Sequence, residues 1–294
     1  MLDLRLILVS IMWGVNFSLV KFALTDFTPL SFTIVRFALA AGFLFIVLLM
    51  NKEPLDIGPD DRLPLLRLGL IGISLYNILF MYGLRYTTAS NSALFIATSP
   101  LFAALILTLT KRERFSLRSG AGFLLSSLGT VLIIRSRLGG FGFRSEHIAG
   151  DLLTLAAACA WAFYTVNARP LLENYSPIKI TAYTMAIGTL AMVPIGFHEL
   201  MVQPWNSISL MSWSALFFGA FFAGGVAYTL WYQGVKRIGS SRTIVYHYLM
   251  PFTAVAFAAV FLGERITAMQ VIGGIAVLSG VALVQKPRSL TADS

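Results

Sequence analysis

Residues 240–267 read SSRTIVYHYLMPFTAVAFAAVFLGERIT: small polar residues, then about twenty mostly apolar ones with Pro251 near the middle, then Glu264-Arg265. The same plan stands 151 positions earlier, in ASNSALFIATSPLFAALILTLTKRERFS at 89–116. Pro251 falls on Pro100, Glu264-Arg265 on Glu113-Arg114 and Thr267 on Ser116. Few other residues are identical, yet the landmarks keep one spacing, which is the mark of a duplicated chain.

The duplication runs further in both directions. Trp13 matches Trp161 and Pro29 matches Pro177 at an offset of 148, while Gly83 matches Gly234 and Gly129 matches Gly280 at 151. The change of three falls in the loop after the second or seventh apolar run. A membrane helix needs about 20 predominantly apolar residues. Ten such runs are present, at 4–24, 29–50, 64–86, 90–110, 116–135, 149–171, 177–199, 210–236, 241–262 and 267–285. Five per copy is an odd number, so the second copy enters the bilayer from the opposite face. The sequence therefore predicts an all-α polytopic membrane protein of ten transmembrane helices in two inverted five-helix repeats. The first repeat spans 1–135, a linker 136–148, the second repeat 149–288 and a polar tail 289–294.

Composition agrees. Of 294 residues, 57% are hydrophobic and only 12% charged, about half the charge of a soluble domain. The mean hydropathy is +0.79. The net charge of +9 suits loops against anionic lipid head groups better than nucleic acid. The single cysteine, Cys159, lies in an apolar run and reads as a packed small residue. The first apolar run reads as an uncleaved helix. With the N-terminus inside, 15 lysines and arginines fall on inner segments and six on outer ones. The positive-inside rule then puts both termini in the cytoplasm, in a bacterial inner membrane.

The opening WGVNFSLVKFAL, the second-run IVRFALAAG and the GERIT hairpin, set in this architecture, resemble the drug/metabolite transporter superfamily and within it the EamA family. The resemblance covers about residues 4–285. It implies helices one to four and six to nine around a central cavity, helices five and ten at the periphery in the position of a homodimer contact, and export of small organic metabolites such as amino acids and their derivatives.

Alternating access needs a site near the midplane between the repeats. Candidate substrate-binding residues are Trp13 and Asn16, their counterparts Trp161 and Tyr164, Asn77 paired with Tyr228, Tyr82 paired with Gln233, and Trp231, Tyr232, Tyr246 and His247. The plain alternative for the aromatic members is packing or an interfacial belt. Pro100 and Pro251 each free a backbone carbonyl in mid-helix, and so are candidate hinges or static bends. Glu113 and Glu264 read as interface anchors of tight hairpins, with Ser116 and Thr267 capping the helix that follows.

No Asp or Glu falls in the central third of any span, whereas Arg36 lies about a third of the way into the second. That favours neutral, zwitterionic or anionic substrates, whose carboxylate Arg36 could meet. Lys21, near the outer end of the first helix, reads as snorkelling to the head groups. No Walker loop, metal-ligand cluster or nucleophile–His–acid set is present, so neither a cofactor nor an enzyme is expected. The reading is a secondary transporter with membrane lipids around it and a small-molecule substrate, driven by substrate, protons or an exchanged solute. Its rivals are an exchanger or importer of phosphorylated or nucleotide-linked sugars, an intramembrane enzyme and a membrane scaffold.

Overall fold

The computed structural model describes residues 3–110 and 145–285, with some of those between 121 and 132. Glu113, Ser116, most of the fifth run and the arginines of the linker lie outside the described residues. Among the described residues every regular element is helical. The first four runs form α1 (Leu4–Ala23), α2 (Pro29–Met50), α3 (Pro59–Tyr86) and α4 (Ala89–Leu109). The sixth becomes α5 (Ser145–Asn167, continued by Arg169–Asn174). Next come α6 (Pro177–Val202) and α7 (Leu210–Ile238). The ninth run, α8, starts at Ser240 as a single turn, passes through a 3₁₀ stretch at Ile244–Leu249 and becomes α-helical at Met250–Phe261. The last, α9, is Ala268–Gln285.

Repeated local signals set the helix starts. Thr28-Pro29 and Ser176-Pro177 each place an extended residue before a proline at the first helical position, whose fixed φ suits it. Ser176 also accepts from the Lys179 amide at 3.1 Å. Thr267 and Gln270 form a reciprocal cap on α9, amide to side chain in both directions, at 2.9 and 3.2 Å. The Thr267 hydroxyl thus caps as its position suggests. Glu264 does something the sequence did not signal. Its carboxylate accepts from the Ala89 amide at 2.8 Å and the Ser90 hydroxyl at 2.6 Å, capping α4 of the other repeat. Free amides and the positive end of the helix dipole make that a favourable place for an anion.

The two candidate hinge prolines, Pro100 and Pro251, each fall in the first turn of the second segment of an interrupted helix. α4 is interrupted after Ile96 and resumes at Ser99 with Pro100 in its first turn. The Ile96 carbonyl, which Pro100 cannot serve, takes the Ser99 hydroxyl instead. Pro251 likewise opens the α-helical part of α8.

The repeats interlock. α1 packs on α7 and α8, α5 packs on α3 and α4, and α2 pairs with α6, so the first helix of each repeat lies against the third and fourth of the other. In lipid such contacts rest on close van der Waals packing, which small residues allow. Where α3 crosses α5, a Cβ at Gly83 would lie 2.5 Å from Thr154 Oγ1 and 3.0 Å from the Gly150 carbonyl. The matching crossing of α7 and α1 has Gly234 over Leu6 at 2.7 Å. Ser126 donates to the Val277 carbonyl at 3.0 Å, joining the fifth run to α9 at equivalent positions.

Polar contacts tie the repeats at both ends. On the N-terminal face Arg237 meets Asp3 at 3.3 Å, and Lys179 donates to the Asp56 carbonyl at 2.6 Å. On the opposite face Asp26 accepts from the Ser209 and Ser212 hydroxyls at 2.6 and 2.7 Å. Those bonds, the Ser209 hydroxyl's first, hold the Asp26 carboxyl down to about 2, so it is ionised at any working pH. Lys21 does not snorkel: its ammonium donates to the carbonyls of Leu84, Arg85 and Thr87 at 2.6, 2.9 and 2.6 Å, closing the end of α3.

Candidate functional site

The interlocked helices leave a small cavity at their centre, of about 30 Å³. That admits a couple of waters at most, so an organic ligand would require the helices to part. Seven of the residues singled out from sequence line it: Trp13, Asn16, Arg36, Asn77, Trp161, Tyr228 and His247.

Arg36 enters from α2 and is only 4% exposed. Gly219 on α7 makes room for it: a Cβ there would lie 2.8 Å from Arg36 Cδ and 3.5 Å from Asn16 Oδ1. Its Nη2 donates to Asn77 Oδ1 at 2.9 Å, and Asn77 Nδ2 donates back to the Ile73 carbonyl at 2.8 Å. The guanidinium carbon lies 4.5 Å from the Phe37 ring centre and 5.4 Å from that of Phe32. Among the described residues, no carboxylate lines the cavity and none pairs with Arg36. Its Nε has no partner, and neither has Asn16 Oδ1 nearby.

The rest of the wall is aromatic. Trp13 meets Trp161, Trp231, Tyr228 and His247 at centroid distances of 5.2 to 5.6 Å. The His247 ring lies against Trp231 at 4.6 Å and Trp161 at 5.5 Å, roughly parallel to both. Both its ring nitrogens are buried without a partner, as is Trp161 Nε1. Pairs of Trp and Tyr rings are worth about 0.5–1.5 kcal/mol each beyond the area they bury, which favours this arrangement of the wall. Its unpaired donors and acceptors cost stability until something fills them.

Three further candidates stand one layer out. Trp231 backs His247 and donates to Thr165 at 3.2 Å. Tyr164 and Tyr232 stack at 4.9 Å, and the Tyr164 hydroxyl pairs with Thr184 at 3.1 Å. Tyr82 and Tyr246 are not brought to the cavity. The Tyr82 hydroxyl donates to Glu199 towards one face, and the Tyr246 hydroxyl accepts from the Asp3 amide at 2.8 Å towards the other. The cavity also uses Phe17, Phe37, Tyr76, Phe80, Ile96 and Met250, which the sequence reading did not single out. The repeat spacing offered a signal for two of them: Phe80 and Ile96 are the counterparts of Trp231 and His247 at 151.

Comparison with known proteins gives a consistent picture. An uncharacterized transporter of Bacillus subtilis (strain 168), YyaM, is 30% identical over 278 residues, covering 92% of this chain and 89% of its own. A probable amino-acid metabolite efflux pump of Escherichia coli (strain K12) is 26% identical over 285 residues, 94% of this chain and 91% of its own. A probable terminal-alkyne amino-acid exporter of Streptantibioticus cattleyicolor is 24% identical over 284 residues, 96% of this chain and 92% of its own. One crystal structure shares the fold at a TM-score of 0.67 and 20% identity, covering 95% of this chain and 94% of its own. The profile of the EamA-like transporter family matches twice, at residues 2–135 and 148–285. With both halves matched and relatives running its length, the chain belongs to the EamA-like transporter family.

Proposed function

We propose that the protein is a secondary transporter of the cytoplasmic membrane that exports a small carboxylate-bearing metabolite, amino-acid-like or aromatic, by alternating access around the central cavity. The observation that carries this reading is Arg36. A buried guanidinium is costly; here it is met by a neutral amide and ring faces while Nε stays unpaired. An anionic group entering the cavity would supply the missing charge and a strong bond. The aromatic box gives the rest of such a ligand a ring-compatible wall, and two relatives are named a probable terminal-alkyne amino-acid exporter and a probable amino-acid metabolite efflux pump. An exchanger of phosphorylated sugars would be expected to gather several cations at this depth, and the cavity lining holds one.

The direct experiment is a thermal-shift screen of metabolites on purified protein, because ligand binding raises stability by mass action. Amino-acid-like and aromatic acids should stabilise it; stabilisation by sugar phosphates alone would reject the reading. Orientation is checked separately. Reporter fusions at Asn51 and at the C-terminus should both report cytoplasm, and a periplasmic signal at either site would contradict the assignment.

His247 is the candidate for proton coupling. Histidine is the side chain that ordinarily titrates near pH 6.5, and both its ring nitrogens face the core unpaired. Replacing it with Gln keeps hydrogen-bonding groups and removes titration. Transport by His247→Gln should lose its dependence on pH; an unaltered pH profile would place coupling elsewhere.

A further inference from the structure

Two stretches of π-helix interrupt the long third helices of the repeats, Leu68–Leu75 in α3 and Phe218–Val226 in α7. Shifted by 151 positions, the first becomes 219–226 and falls within the second. Such widened turns are uncommon and gather at functional sites. Each faces the first helix of the other repeat: α1 packs on the stretch in α7 and α5 on the stretch in α3.

The same parts hold different settings in the two halves. Trp13 of α1 donates its indole N–H to the carbonyl of Ala223, inside the α7 stretch, at 2.8 Å. The counterpart of Trp13 is Trp161 and that of Ala223 is Gly72. Trp161 is 2% exposed, yet its Nε1 has no partner. The Gly72 position is instead covered by Tyr164, one turn along α5, whose Cδ2 stands 1.9 Å from where a Cβ would be.

We propose that this hydrogen bond is exchanged between the repeats as the cavity changes sides. In the conformation seen here Trp13 holds Ala223 and Trp161 is released. In the opposite conformation Trp161 donates to the Gly72 carbonyl and Trp13 lets go. Alternating access rocks one repeat against the other around a fixed site. Since the repeats are inverted copies, the opposite opening is reached if each takes the setting the other now holds. A bond present in one half and absent from the other fits that exchange. The exchange leaves one indole donor of this pair unpaired in each end state. Neither state is then penalised relative to the other, and the balance between them stays close. The inference rests on the alternating-access reading but on no particular substrate.

Spin labels test it on the full-length protein without substrate, in a Cys159→Ser background. Two pairs of exposed positions report the faces: Thr25→Cys with Asn206→Cys opposite the N-terminus, and Asn51→Cys with Asn174→Cys beside it. Trp13→Phe removes a bond of the present state, so it should shift the ratio of the two distance populations about five-fold towards the other opening. Trp161→Phe should shift it about as far the other way, and in the Trp13→Phe background it should return the ratio to near wild type. Shifts in the same direction, or no effect of Trp161→Phe in either background, would overturn the exchange. Lost ligand binding with an unmoved distribution would likewise overturn it, assigning the Trp161 N–H to substrate. Distances that never change on either face would bring down alternating access itself, and the exchange with it.

Discussion

Replacing Arg36 with Gln should weaken binding of carboxylate-bearing ligands by about ten- to a hundred-fold, the range expected for losing hydrogen bonds to a charged group. The matched amides or esters should lose no more than about three-fold. The expectation follows from what surrounds the guanidinium. Asn77 takes one N–H, Phe37 and Phe32 cover its faces, and Nε is left over. None of these compensates the charge, so a ligand carboxylate has an interaction to gain that an amide has not. Lys at this position should restore affinity only in part, because it brings charge without the planar fork. Competition binding with acid and amide pairs on monodisperse protein measures the difference. Equal losses for both members of each pair would make Arg36 a packing residue.

Gly72→Ala should lower the apparent melting temperature in detergent by several degrees, the scale of an overpacking cost of about 1–3 kcal/mol. The added Cβ would stand 1.9, 2.4 and 2.6 Å from Tyr164 Cδ2, Cγ and Cβ. That ring cannot easily yield. Its hydroxyl pairs with Thr184 at 3.1 Å, and its face lies on Tyr232 at 4.9 Å. Gly42→Ala is the control, since nothing lies within 4 Å of the new carbon and Ala is the better residue in a helix. The control should melt at or slightly above wild type. If Gly72→Ala melts with it, α3 and α5 do not meet as closely as the packing indicates.

The architecture was legible in the chain, because a bilayer makes architecture a local matter. Every span must satisfy its own backbone, so length and hydropathy mark the helices. The odd count per copy then inverts the second repeat, and Thr28-Pro29, Ser176-Pro177 and Thr267 mark starts that the structure uses. Arg36, Asn77 and His247 could be singled out as polar groups that lipid would not tolerate, and all three line the cavity. Sidedness was another matter. Lipid and protein core are equally apolar, so hydropathy does not tell a cavity-lining Phe from one facing lipid. Phe17, Phe37 and Phe80 line the site, while Phe252 and Phe261 are exposed, and nothing local separates them. Tyr82 shared a repeat position with Gln233, and Tyr246 stands next to His247, yet the Tyr82 hydroxyl donates to Glu199 and the Tyr246 hydroxyl accepts from the Asp3 amide, both partners remote in sequence. The π-helical stretches were hidden for the same reason: LGLIGISL and FGAFFAGGV hold one polar residue between them, Ser74, and carry no period to be disturbed. Only the packing of α5 on α3 and of α1 on α7 decided which carbonyl each tryptophan could reach, because that depends on distances between helices, which no single helix encodes.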